Sequence, residues 1–131
     1  MPQPAHKGEY PNDWHAVATL VKDDARWCCV RCRHVHDPKV GRTLTVHHFD
    51  GNKANLARWN LMALCQACHL SVQARVDPEI PLLFPPTAWA IPYLVGLYAA
   101  GQSVAPPGFD AAEWRKRYEH EVGAWPAWME A

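Results

Sequence analysis

Long apolar runs are scarce in this chain. The longest, Ala88 to Ala100, has 13 residues and is interrupted by Pro92, whereas a helix needs about 20 apolar residues to cross a bilayer. No membrane-spanning segment is expected. The opening stretch MPQPAHKGEYPND has no apolar run behind its basic residues, so no signal peptide is expected and the reading is cytoplasmic. Net charge is also missing, with 13 Lys and Arg against 13 Asp and Glu. Internal repeats and low-complexity tracts are absent, and 131 residues suit a single domain over 1–131 with a core of useful size. Cysteine is sparse and odd in number, five in all. In a cytoplasmic chain that points to reduced thiols or metal ligands, not disulfides.

The zero net charge hides an asymmetry. Residues 22–75 carry nine Lys and Arg against four acids, a net of +5, and residues 76–131 carry three against seven, a net of −4. A basic segment around histidines and cysteines suits an anionic partner such as nucleic acid, although a solvated basic face has the same composition.

Patterning predicts an α+β chain. PNDWHAVATLVKDDARW reads as a first helix, with Asn12 or Asp13 as N-cap and Trp14, Val17, Ala18 and Val21 at helical spacing. RTLTVHH, residues 42–48, alternates and is β-branched, which predicts a strand. FDGNKAN reads as loop, NLMAL at 60–64 as a second strand, and CQACHLSVQARV as a helix with Leu70 and Ala74 on one face. This ββα unit is too small to hold itself together by burial alone, so a metal staple is expected. From 77 onward the chain reads as a helical extension packed on the core. DPEIPLLFPP is expected to be extended, TAWAIPYLVGLYAAG to be an apolar helix, and FDAAEWRKRYEHEVGAWPAW to be a helix capped by Asp110, with Glu113 completing a capping box.

Cys29-x2-Cys32 and Cys65-x2-Cys68 form two knuckles that bracket the unit's strands. Four thiolates so spaced satisfy tetrahedral Zn²⁺, and such a closed site has no coordination position left for chemistry. Its role is to staple the fold. Cys28 is spare, although with Cys32 it offers a less usual alternative knuckle.

His47 and His48 are adjacent on the first strand, so alternation sends them to opposite faces and gives them different tasks. His69 follows Cys68 at the start of the helix and can turn away from the thiolates toward His47. One imidazole from the strand and one from the helix make an open two-ligand metal site, as metal-assisted hydrolysis requires.

The succession of His48, Asn60 twelve residues on and His69 nine beyond, together with NLMALCQACH, HHFDGNKAN and the paired knuckles, resembles the zinc-containing branch of the HNH endonucleases over residues 28–75. The resemblance implies a ββα-metal core at 28–76 and hydrolysis of DNA phosphodiester bonds, by nicking or double-strand cleavage, to 5′-phosphate and 3′-hydroxyl ends. It implies that His47 and His69 hold a divalent ion, that His48 is the general base, and that Asn60 orients the catalytic loop. Mn²⁺ is favoured for the ion, with Mg²⁺, Co²⁺ or Ni²⁺ as alternatives. Gln73 stands a turn later where some HNH nucleases place another histidine ligand, which leaves the ion with fewer protein ligands. Arg42, Lys53, Arg58 and Arg75 are candidate nucleic-acid contacts, and a phage or restriction-system protein is a candidate partner. The alternative is a catalytically silent zinc-ribbon-like module that binds nucleic acid. His6, His15, His34, His36 and His120 have no partner at firm ligand spacing.

Overall fold

The computed structural model of the chain describes residues 11–75 and 88–130, except for the side chains of 72–75. The stretch DPEIPLLFPP, His6 and the side chains of Gln73 and Arg75 lie outside the described residues. In chain order the elements are α1 (Trp14–Asp24), β1 (Leu44–His48), β2 (Leu61–Cys65), α2 (Gln66–Arg75), α3 (Ile91–Ala99) and α4 (Ala111–Glu121). The protein is therefore a mixed helix and strand structure. No helix among the described residues is long and apolar enough to cross a membrane.

β1 and β2 form a two-stranded antiparallel sheet in which Leu44 faces Cys65, Val46 faces Ala63 and His48 faces Leu61. Every residue of β2 is buried, as befits a strand covered on both sides. α1 covers one side, where its Trp14 ring lies 4.8 Å from that of His48. α2 covers the other, where His69 meets Thr45 and His47. The shared core joins Val21 of α1, Leu44, Leu61, Met62 and Leu64 of the sheet, and Leu94 and Leu97 of α3. Each fully buried side chain of this size contributes about 1.5–3 kcal/mol. Leu70 of α2 is 62 % exposed and plays no part in that core.

Both strands begin later than the sequence predicts. Arg42 exchanges backbone hydrogen bonds with Asp37 (2.9 Å each way), closing a turn around Pro38–Val40, so β1 starts only at Leu44. Asn60 closes the 3-10 turn Arg58–Asn60 by donating from its backbone N–H to Ala57, so β2 starts at Leu61 and runs through Cys65.

α1 begins at Trp14 after Asp13, but without a side-chain cap bond. The Asp110 carboxylate caps α4 by accepting from the N–H groups of Ala112 (2.9 Å) and Glu113 (3.4 Å). Glu113 accepts from Lys116 (3.4 Å), and among the described residues it sends no return bond to Asp110, so the expected capping box is only half formed. Lys116, Arg115 and Arg117 all pair with acids on or beside α4. α3 follows the 3-10 turn Ala88–Ala90, carries Pro92 in its first turn and lies against the Arg58–Asn60 turn. Gly96 is needed there, because a Cβ would overlap the Trp59 side chain. The extension thereby supports the turn that delivers Asn60.

Candidate metal centres

The sulfurs of Cys29, Cys32, Cys65 and Cys68 all lie within 4.8 Å of one another. Those of Cys32 and Cys65 are 3.7 Å apart. Tetrahedral zinc with Zn–S bonds of about 2.3 Å separates its sulfurs by about 3.8 Å, so the cluster fits that ion. Cys28 is outside the group, and its thiol reaches the Arg26 carbonyl at 3.5 Å.

Backbone geometry builds both knuckles. The Cys29 N–H donates to His34 and that of Arg33 to Cys29, with Arg33 at a left-handed φ of 68°. The Cys32 N–H points at the Cys29 sulfur (3.4 Å), and the Val30 N–H ties this knuckle to the Ala63 carbonyl (2.9 Å). The second knuckle arises where β2 ends at Cys65 and the first turn of α2 returns Cys68.

Two guanidiniums flank the sulfurs. Arg42 Nη1 lies 3.4 Å from Cys65 Sγ and 3.9 Å from Cys32 Sγ, and Arg31 Nη1 lies 3.4 Å from Cys68 Sγ. Burial opposes ionisation of Cys65, but the Arg42 bond and the bonds from Cys68 outweigh it and bring this thiol down to about 6. Burial pushes Cys68 up to about 12, with the neighbouring thiols adding to the rise and Arg31 opposing it. Four sulfurs this close resist full ionisation until a cation sits among them. Zinc bound by four thiolates leaves two negative charges, which Arg31 and Arg42 offset in part.

The second constellation is the histidine pair. The His47 and His69 ring centroids are 4.8 Å apart at 71°. His47 is 8 % exposed, and its Nε2 is buried without a hydrogen-bond partner. An orphaned imidazole nitrogen beside a second imidazole is a donor set that suits a divalent transition ion. Burial, reinforced by the nearby His69 and His48, lowers His47 to about 4, and burial lowers His69. Both rings are neutral at pH 7, the form that binds metal. The Thr45 hydroxyl also meets His69 Nδ1 at 2.8 Å. Sequence reading missed Thr45, although its place two residues before His47 puts both on one strand face.

His48 ends β1 on the opposite face, 5 % exposed. Burial lowers its pKa, while Asp50 and a hydrogen bond to the Lys53 backbone act the other way. The loop after it is a chain of side-chain-to-backbone bonds. Asp50 accepts from the Asn52 N–H and the Asn55 amide (2.8 Å each), and Gly51 takes the left-handed φ of 76° that the turn demands. Asn60, fully buried, clamps both ends of this loop. Its Oδ1 accepts from the Asp50 N–H (2.8 Å), and its Nδ2 donates to the Asn55 carbonyl (3.0 Å).

The basic candidates divide. Arg42 lies at the cysteine cluster. Arg58 donates to Asp24 (3.2 Å) and the Leu61 carbonyl (2.8 Å), and it lies 4.5 Å from the Trp128 ring, so it joins α1, β2 and the C-terminal segment. Lys53 stands half-buried on the 50–55 loop. His36 also has a structural task that its spacing did not reveal, because its Nδ1 accepts the Leu44 N–H at 2.8 Å, where β1 starts.

Comparison with family profiles, curated proteins and solved structures finds no match to the chain. The protein is thus a mixed helix and strand structure whose ββα-like unit brings together four cysteines fit for a structural zinc ion.

Proposed function

We propose that the chain is a metal-dependent endonuclease of the HNH type, hydrolysing DNA phosphodiester bonds. In this reading zinc on Cys29, Cys32, Cys65 and Cys68 staples the unit, and His47 and His69 hold an exchangeable divalent ion. Asn60 fixes the loop that carries Lys53, whose backbone holds the His48 ring. Neutral at pH 7, His48 accepts the proton of the attacking water. A bound divalent ion would supply positive charge opposite the anionic transition state and the leaving 3′ oxygen. The observation that supports the reading most is the 4.8 Å approach of the His69 ring to that of His47, whose Nε2 is buried without a hydrogen-bond partner, one residue from a histidine beside the Asn60-clamped loop.

Incubating supercoiled plasmid with purified protein tests it. Cleavage is expected with Mn²⁺ and not with EDTA, and faster with Mn²⁺, Co²⁺ or Ni²⁺ than with Mg²⁺ at equal concentration, since imidazole ligands suit the later ions. DNA that is bound but never cut under any of these ions favours the zinc-stapled binding module.

The ion's pH dependence follows from burial. Two exposed imidazoles titrating near 6.5 would each lose about tenfold of their neutral form between pH 7.5 and 5.5, roughly 100-fold for a site that needs both. With His47 near 4 and His69 lowered, that fall is expected to shrink to less than about tenfold. Mn²⁺ affinity read by paramagnetic resonance, with zinc retention checked at each pH and His47→Ala as the blank, measures it. A 100-fold loss would mean that the pair titrates as though exposed.

A further inference from the structure

Thr45 makes two contacts with a single hydroxyl. Its Oγ1 donates to the Leu64 carbonyl at 2.8 Å and meets His69 Nδ1 at 2.8 Å. A hydroxyl has one proton to give, and a backbone carbonyl has none. Had Thr45 given its proton to the imidazole, its oxygen and that of Leu64 would face each other at 2.8 Å with no hydrogen between them. The proton therefore goes to Leu64, and the bond to the ring is made by His69 Nδ1–H donating to Thr45. The neutral imidazole then has its lone pair on Nε2.

We propose that Thr45 is a positioning residue that locks His69 as the Nδ1–H tautomer and thereby presents its Nε2 lone pair to the divalent ion shared with His47. The proposal rests on the two-histidine ion site of the preceding reading but not on DNA cleavage. Its chemistry is that of an outer partner fixing the tautomer and ring orientation of a ligating histidine, a role more often filled by a carboxylate or backbone carbonyl. A strand hydroxyl suffices here because the opposing Leu64 carbonyl fixes which way the hydroxyl points. Thr45 and His47 lie on the same face of β1, so one strand sets both the ligand and the device that orients its partner.

Imidazole ¹⁵N spectra of the full-length, zinc-loaded protein at pH 7.5, before any second ion is added, read the tautomer directly. Wild type is expected to show His69 with a protonated Nδ1 and an unprotonated Nε2. Thr45→Ser, which keeps the hydroxyl, should preserve this pattern and the Mn²⁺ affinity. Thr45→Val should shift the ring toward the Nε2–H form and weaken Mn²⁺ binding by about 10–100-fold, the usual effect of losing such a partner. If Thr45→Val fails to retain zinc, the wild-type tautomer and the Thr45→Ser affinity decide. An Nε2–H tautomer in wild type overturns the proposal, as does a Thr45→Val protein with unchanged tautomer and affinity, or wild-type protein in which Mn²⁺ leaves His69 unperturbed. The expected tautomer and Mn²⁺ response in a protein that never cuts DNA would uphold this proposal and remove the nuclease reading. Cleavage by a protein whose His69 is Nε2–H would do the reverse.

Discussion

His48→Ala is expected to lose plasmid cleavage by about 10²–10⁴-fold, the worth of a positioned general base, while keeping its zinc and most of its DNA affinity. The ring is buried beside Trp14, so its removal also leaves a gap costing on the order of 1–3 kcal/mol. Against a typical stability of roughly 5–15 kcal/mol, that leaves the variant folded at 25 °C. The two roles separate cleanly. A histidine that only packs against Trp14 would give the same drop in unfolding midpoint, with cutting at the wild-type rate wherever the fold is intact. A base would give lost cutting in a folded protein. The acid limb of the wild-type rate profile adds a check with a definite sign. Burial lowers the His48 pKa, so the neutral form persists to more acidic solution. Cleavage should therefore keep more than half of its plateau rate at pH 6.5, where an unperturbed imidazole would already be half protonated. The order of titration is read in folded protein, before zinc is lost.

Removing the zinc is expected to unfold the ββα unit. Purified protein should hold about one tightly bound Zn²⁺ per chain, and Cys65→Ser should lose it, along with helix content and solubility, without any DNA present. The reason is one of scale. Zinc bound by four thiolates contributes about 10–16 kcal/mol of apparent free energy that becomes folding free energy, as much as the whole stability of an ordinary domain. The loss reaches far because Cys65 is paired with Leu44 at the end of the sheet and Cys68 opens the helix that carries His69. Cys28→Ser is the control. Its sulfur lies outside the cluster, so zinc content and unfolding should not change. Folded wild-type protein that elemental analysis shows to be free of zinc would overturn this account.

Arg42 illustrates how folding gives a residue a contact that composition does not show. Composition placed it with Lys53, Arg58 and Arg75 as a nucleic-acid contact, because the segment carries a net positive charge. Folding directs Arg42 to the Cys65 and Cys32 sulfurs and Arg58 to Asp24, Leu61 and Trp128. Charge on a segment says only that an anion would be attracted to it. It does not say whether that anion is a phosphate or the chain's own thiolate.

By itself the sequence determined the order of strand, loop, strand and helix, the cysteines that form the cluster, and the opposite faces taken by His47 and His48. Each follows from periodicity or spacing over a few residues, where backbone geometry leaves little choice. The Asp-Gly and asparagine content likewise marked the loop that Asn60 clamps. Tertiary structure alone decided which partners meet across long stretches of chain. Thr45 reaches His69 over 24 residues, Arg42 reaches Cys65 over 23, and Arg31 reaches Cys68 over 37. It also decided that the His47 Nε2 is buried without a partner and that His36 anchors the start of β1. Such pairings depend on how the sheet is sandwiched between α1 and α2. That packing is a property of the whole core, and no local pattern of residues encodes it.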